Sequence, residues 1–130
     1  HVVDDPAGTP INKKISAENV FNNIPSWLGL AQTSQAITAD ASSQVANVTT
    51  AVTEINATAA TGAISLADGS DGQLKIFINT STSGTNNVVI TPTNLRGGTT
   101  ITLNAQGETA VCIFKNSNWN VIGGHGFVVA

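Results

Sequence analysis

Between Gly62 and Ala130 the chain breaks repeatedly into short runs of Val, Ile, Thr and Phe parted by Gly, Asn, Ser and Asp, and this rhythm constrains the fold most. The runs "GAISLA", "QLKIFIN", "NVVITP", "TTITLN", "TAVCIF", "NWNVIG" and "GFVVA" alternate with "DGSDG", "STSGTN", "TNLRGG", "AQGE", "KNSN" and "GGHG". β-branched and aromatic residues suit a pleated, half-buried surface, while Gly, Asn and Asp accept turn geometry. Short strands spaced roughly 8 to 12 residues apart, with turn signals between them, favour an antiparallel β-sandwich or jelly-roll-like domain over a parallel α/β sheet. In "TTITL", Ile101 and Leu103 share one face and Thr100 and Thr102 the other, the pattern of a half-buried antiparallel strand. "TAVCIF" is apolar on both faces, which predicts a central strand or one covered by another subunit. Further upstream, "SQAIT" and "VTTAVTEIN" also read as strands, although the second has no clean apolar face.

The first thirty residues follow different rules. "HVVDDPAGTPINKKISAENVFNNIPSWLGL" holds Pro6, Pro10 and Pro25 and no alternating pattern, so residues 1–30 are expected to form an extended arm and residues 31–130 the β-domain. One short helix is predicted in "SAENVFNNIP": Ser16 suits the cap, Glu18 the positive end, and Val20, Phe21 and Ile24 one face, before Pro25 stops it. So short a helix needs a surface to dock on. Val2, Val3, Ile11, Val20, Phe21, Ile24, Trp27 and Leu28 are therefore the candidate interface residues, against either the chain's own core or a neighbouring subunit. The chain starts at His1 and contains no Met, from which processing or a leading segment is expected.

Charge and motifs narrow the chemistry. Charged residues are only 10% of the chain and the formal net charge is -3, with Lys13, Lys14, Lys75, Arg96 and Lys115 scattered, so no basic patch marks a nucleic-acid partner. No apolar run approaches the roughly 20 residues of a membrane span. Cys112 is the single cysteine, which excludes an intrachain disulfide.

In "LADGSDGQLKIFIN", Asp68 and Asp71 could either grip a cation or turn the chain. The bidentate Glu of a calcium loop is missing and no tandem repeat of the glycine-aspartate pattern follows, so the turn is the favoured reading, with a weak cation site as the alternative. His125 in "GGHGF" has no visible catalytic partner, no GxSxG elbow occurs, and Cys112 falls inside a strand. No catalytic residue, metal or cofactor is expected, and the chain is read as a non-enzyme.

Four spaced pieces, Leu66 to Lys75, Ile90 to Leu103, Gln106 to Val111 and Phe114 to Gly123, carry a further signal. "LADGSDGQLK", "ITPTNLRGGTTITL", "QGETAV" and "FKNSNWNVIG" together resemble a module of virion structural proteins in tailed bacteriophages, particularly those of marine and cyanobacterial hosts. The resemblance covers about half of the chain. It implies a decoration, or cement, protein on the outer surface of the capsid, bound to the major capsid protein and self-associated as a homotrimer. A tail or head fibre, or receptor-binding module, is the alternative it allows. Pro92, Asn94, Gly97 and Gly98 would hold a tight connection outside the strand ladder, and Trp119 would cover a hydrophobic core.

Overall fold

A computed structural model of the chain describes residues 2–3, 12–13 and 34–130. The chain divides into two units, His1–Ala31 and Gln32–Ala130. In the first, β1 (Val2–Val3) and β2 (Asn12–Lys13) pair antiparallel, with Val2 opposite Lys13 and Val3 opposite Asn12. The helix expected over residues 16–24 lies outside the described residues.

The second unit is all-β. Its strands are β3 (Gln35–Ala39), β4 (Gln44–Ala46), β5 (Val52–Ala57), β6 (Thr61–Leu66), β7 (Leu74–Asn79), β8 (Asn87–Pro92), β9 (Ile101–Leu103), β10 (Thr109–Lys115), β11 (Asn118–His125) and β12 (Val128–Val129). They form two five-stranded sheets in a sandwich-like arrangement, ordered β11-β10-β7-β5-β3 and β12-β9-β8-β6-β4.

The sheets are mixed, which corrects the antiparallel expectation. From β3 to β8 the chain changes sheet after every strand, so each strand returns in the direction of the one two places earlier and pairs with it in parallel. β3, β5 and β7 run parallel in one sheet and β4, β6 and β8 in the other. After β8 the winding reverses: β9 folds back on β8, β10 on β7, β11 on β10 and β12 on β9, all antiparallel. Period-two alternation says which side chains face inward, but a strand of either direction shows the same alternation.

That alternation builds the core. β5, β6, β7, β8 and β10 each bury every second residue, including Ile55, Ile64, Phe77, Ile90 and Cys112. Fully burying side chains of this size contributes roughly 1.5 to 3 kcal/mol each. Ile101 and Leu103 point inward and Thr102 outward, as the sequence predicts. β10 has strand neighbours on both sides, β7 and β11, so its two-faced pattern belongs to an internal strand. β5 buries Thr53, Ile55 and Ala57, a face that a Thr disguises in the sequence. Pro92 is not outside the ladder: it ends β8 opposite Leu66, where a missing N–H is easily tolerated.

Candidate functional site

Residues from three of the four resemblance pieces converge on the turn between β6 and β7. Within "ADGSDGQ", Gln73 N–H donates to Ser70 O at 2.9 Å, and Ser70 N–H donates to Gln73 Oε1 at 2.9 Å, closing the turn on itself. Gly72 sits at φ 88°, a conformation that L side chains rarely adopt, and its N–H donates to Phe114 O at 2.8 Å. Gln73 Nε2 also donates to Val48 O, reaching the connection between β4 and β5.

The two aspartates serve two different clasps. Asp68 Oδ2 accepts from Asn94 Nδ2 at 2.7 Å, tying the turn to the segment after β8. Asp71 Oδ2 accepts from Lys115 Nζ at 2.6 Å and its Oδ1 from Asn116 N–H at 3.1 Å. The Lys115 bond is the main reason that the Asp71 carboxyl is held below the usual range. Asn116 and Ser117 both have positive φ, 51° and 59°, the signature of a tight two-residue hairpin, and Lys115 pairs with Asn118 across it. Asp71 thus docks one turn onto the next. Among the described residues, no group of three or more His, Cys, Asp and Glu could hold a metal ion.

Trp119 stands at the centre. Its ring is fully buried, its Nε1–H donates to Ala67 O at 2.9 Å, and it meets the Phe114 ring edge-on at 5.1 Å. Its backbone N–H donates to Asn94 O at 2.9 Å, and its carbonyl accepts from Arg96 N–H at 2.9 Å, so "TNLR" is stitched beside β11. Three of the four resemblance pieces therefore meet here in one bonded cluster.

Lys75 is the residue that the sequence reading passed over. It lies on the inward face of β7 with Phe77 and Asn79, fully buried, and its Nζ donates to Thr50 O at 2.9 Å. Thr50 Oγ1 lies 3.4 Å from the same Nζ, and the Phe77 ring centroid lies 5.9 Å away. Burial pushes the amine down to about 8. The turn it holds is built on Asn47, whose Oδ1 accepts from the N–H groups of Thr49 and Thr50. The signal was present in "LKIFIN", because period two places Lys75 on the same face as Phe77.

The remaining candidates stand apart. His125 is exposed, and its backbone N–H donates to Thr109 Oγ1 at 3.2 Å. Cys112 is buried opposite Lys75, and burial pushes its thiol up to about 12. Val2 and Val3 fall in β1, while Ile11, Val20, Phe21, Ile24, Trp27 and Leu28 lie outside the described residues. No protein-family model and no curated protein matches the chain.

Proposed function

We propose that this chain is a structural protein of a tailed-bacteriophage virion, a cement protein that sits on the outer surface of the capsid and braces the major capsid protein. One observation supports the reading above others: the residues that carry the resemblance bond chiefly to one another. Asp68 to Asn94, Asp71 to Lys115 and Trp119 to Ala67 are clasps that stiffen a fold. A protein used in many copies on a shell needs such stiffness and a means of attachment, which the proposal assigns to Val2, Val3, Ile11, Val20, Phe21, Ile24, Trp27 and Leu28. Self-association as a homotrimer belongs to the same proposal, since closed cyclic symmetry is the usual way identical subunits assemble.

A second reading, a fibre or receptor-binding module, is favoured by the winding itself. Strands β3 to β8 stack as successive parallel coils, an architecture that elongates by repetition. Counting copies of this chain per purified particle separates the two. A number matching the symmetric positions of the shell supports cement, a handful per particle supports the fibre, and absence from particles overturns both.

A further inference from the structure

The parallel winding has an open end. Among the described residues, β3 ends the first sheet and β4 the second, at the start of the same winding. An edge strand carries a row of unpaired N–H and C=O groups, which is a template for another chain. The opposite edges are blunted, β11 by a register shift against β10 between Val111 and Cys112, and β12 by its length of two residues. β3 and β4 hold neither charge nor proline, and Val45 of β4 is 65% exposed.

A side chain occupies the free side of β4. Successive residues of a strand turn their N–H and C=O groups to opposite sides. Ser65 Oγ, on β6, donates to Gln44 O at 3.1 Å, so Gln44 O faces β6 while Val45 O and the Asn47 N–H face away from it. Gln35 takes both: its Nε2 donates to Val45 O at 3.0 Å, and its Oε1 accepts from Asn47 N–H at 2.9 Å. One donor and one acceptor on a planar amide reproduce the bonds that a neighbouring strand would make. A backbone N–H only donates and a carbonyl only accepts, so the amide fits one way round. Thr53, fully buried beside Gln35 on β5, holds it from behind, its Oγ1 donating to the same Oε1 at 3.3 Å.

We infer that the Gln35 side chain is an edge block, standing in for a strand on β4 and keeping a second copy of this chain from adding its own edge there. Packed sheets lie roughly 10 Å apart, so the open end presents two edges at that spacing. A lone peptide strand matches one of them, whereas the open end of another copy matches both at once. β3 keeps its free edge, but end-to-end pairing needs both, and capping β4 denies the match. The inference holds for cement and fibre alike, because it concerns how a winding that elongates by repetition is held to the coils of its own chain.

Sedimentation of the full chain over a concentration series tests it, with thermal melting of each variant to check the fold. Gln35→Ala uncovers Val45 O and the Asn47 N–H, and should strengthen self-association ~tenfold or more over wild type, about what two regained hydrogen bonds are worth. Adding Val45→Pro should abolish that gain. The Val45 N–H lies on the free side, so proline there removes a donor for an incoming strand without breaking the ladder to β6. If Gln35→Ala does not fold, Gln35→Glu decides in its place, since it keeps the acceptor for Asn47 and Thr53 and loses only the donor to Val45 O. A folded variant that associates no more than wild type overturns the inference. So does a gain that survives Val45→Pro, which would place the contact elsewhere. Wild-type association that Val45→Pro weakens overturns it too, because the edge would then be open with Gln35 in place. None of these outcomes touches the cement reading, which stands or falls on the copy count per particle.

Discussion

Trp119 and Gly69 compete for one space: a Cβ built on Gly69 would lie 3.0 Å from Cζ2 of the Trp119 ring and 2.6 Å from Gln73 Oε1. Gly69→Ala is therefore expected to push on a fully buried ring and on the side chain that closes the turn, destabilising the domain by about 1 to 3 kcal/mol. Trp119→Phe should relieve part of that clash but leave Ala67 O without its donor, at a similar cost. Urea unfolding of the two single variants and the double should show non-additivity, because the residues touch. Strict additivity would mean that Trp119 is not what excludes a side chain at position 69.

Gly72 makes a different demand on the same turn. With φ at 88° and open space around it, Gly72→Ala is strained by backbone geometry alone, and a loss of about 1 kcal/mol is expected. Asp68 and Asp71 already bond to Asn94 and Lys115, so adding EDTA should leave the melting temperature unchanged. A fall of several degrees with chelator would restore a cation to this turn.

Lys75 and Cys112, opposite each other on β7 and β10, predict a stability curve with two opposed limbs. The Lys75 amine falls from an ordinary 10.5 to about 8 in the folded chain. Between those values the unfolded chain holds more protons, so stability rises with pH by about 3 kcal/mol in all. The Cys112 thiol goes the other way, from 9.0 to about 12. There the folded chain keeps the proton longer, so stability falls as pH rises above 9. Stability should climb from pH 8 to 9 and then level as the two effects offset. Lys75→Met should remove the climb, and Cys112→Ala should extend it toward pH 10.5. Equilibrium unfolding across this range decides the matter, and a Lys75→Met profile parallel to wild type would show that the amine is not desolvated.

Much of the strand pattern was legible in the sequence because it depends on local chemistry. The turns "DGSDG" and "KNSN" and the faces of "TTITL" and "LKIFIN" follow from Gly, Asn and period two. β4 was missed, since "QVA" is too short to show alternation, and with it went the first coil of the winding. Strand direction was illegible for a deeper reason: Thr53 pairs with Gln35 and Phe77 through backbone atoms, which carry no side-chain signature. The clasps of the turn were half legible. Asp68 and Asp71 read as turn formers, but Asn94 and Lys115 lie 26 and 44 residues further on, and only the fold brings them together.

The arm carries the last prediction. Val2, Val3, Ile11, Val20, Phe21, Ile24, Trp27 and Leu28 fall in a stretch of sequence interrupted by Pro6, Pro10 and Pro25. On the cement reading proposed above, burying even half of these side chains against a shell subunit would contribute several kcal/mol at ~25 cal/mol per Å². Among the described residues, the core of the β-domain begins at Ile37. Deleting residues 1–30 should therefore leave the circular dichroism spectrum and cooperative melting of the β-domain in place, while abolishing binding to capsids stripped of this protein. Phe21→Ala and Trp27→Ala in the full chain should each weaken binding without changing the melt. A truncated domain that still decorates such capsids with undiminished affinity would move attachment from the arm to the loops of the β-domain, with "TNLRGG" and "GGHG" the first to substitute.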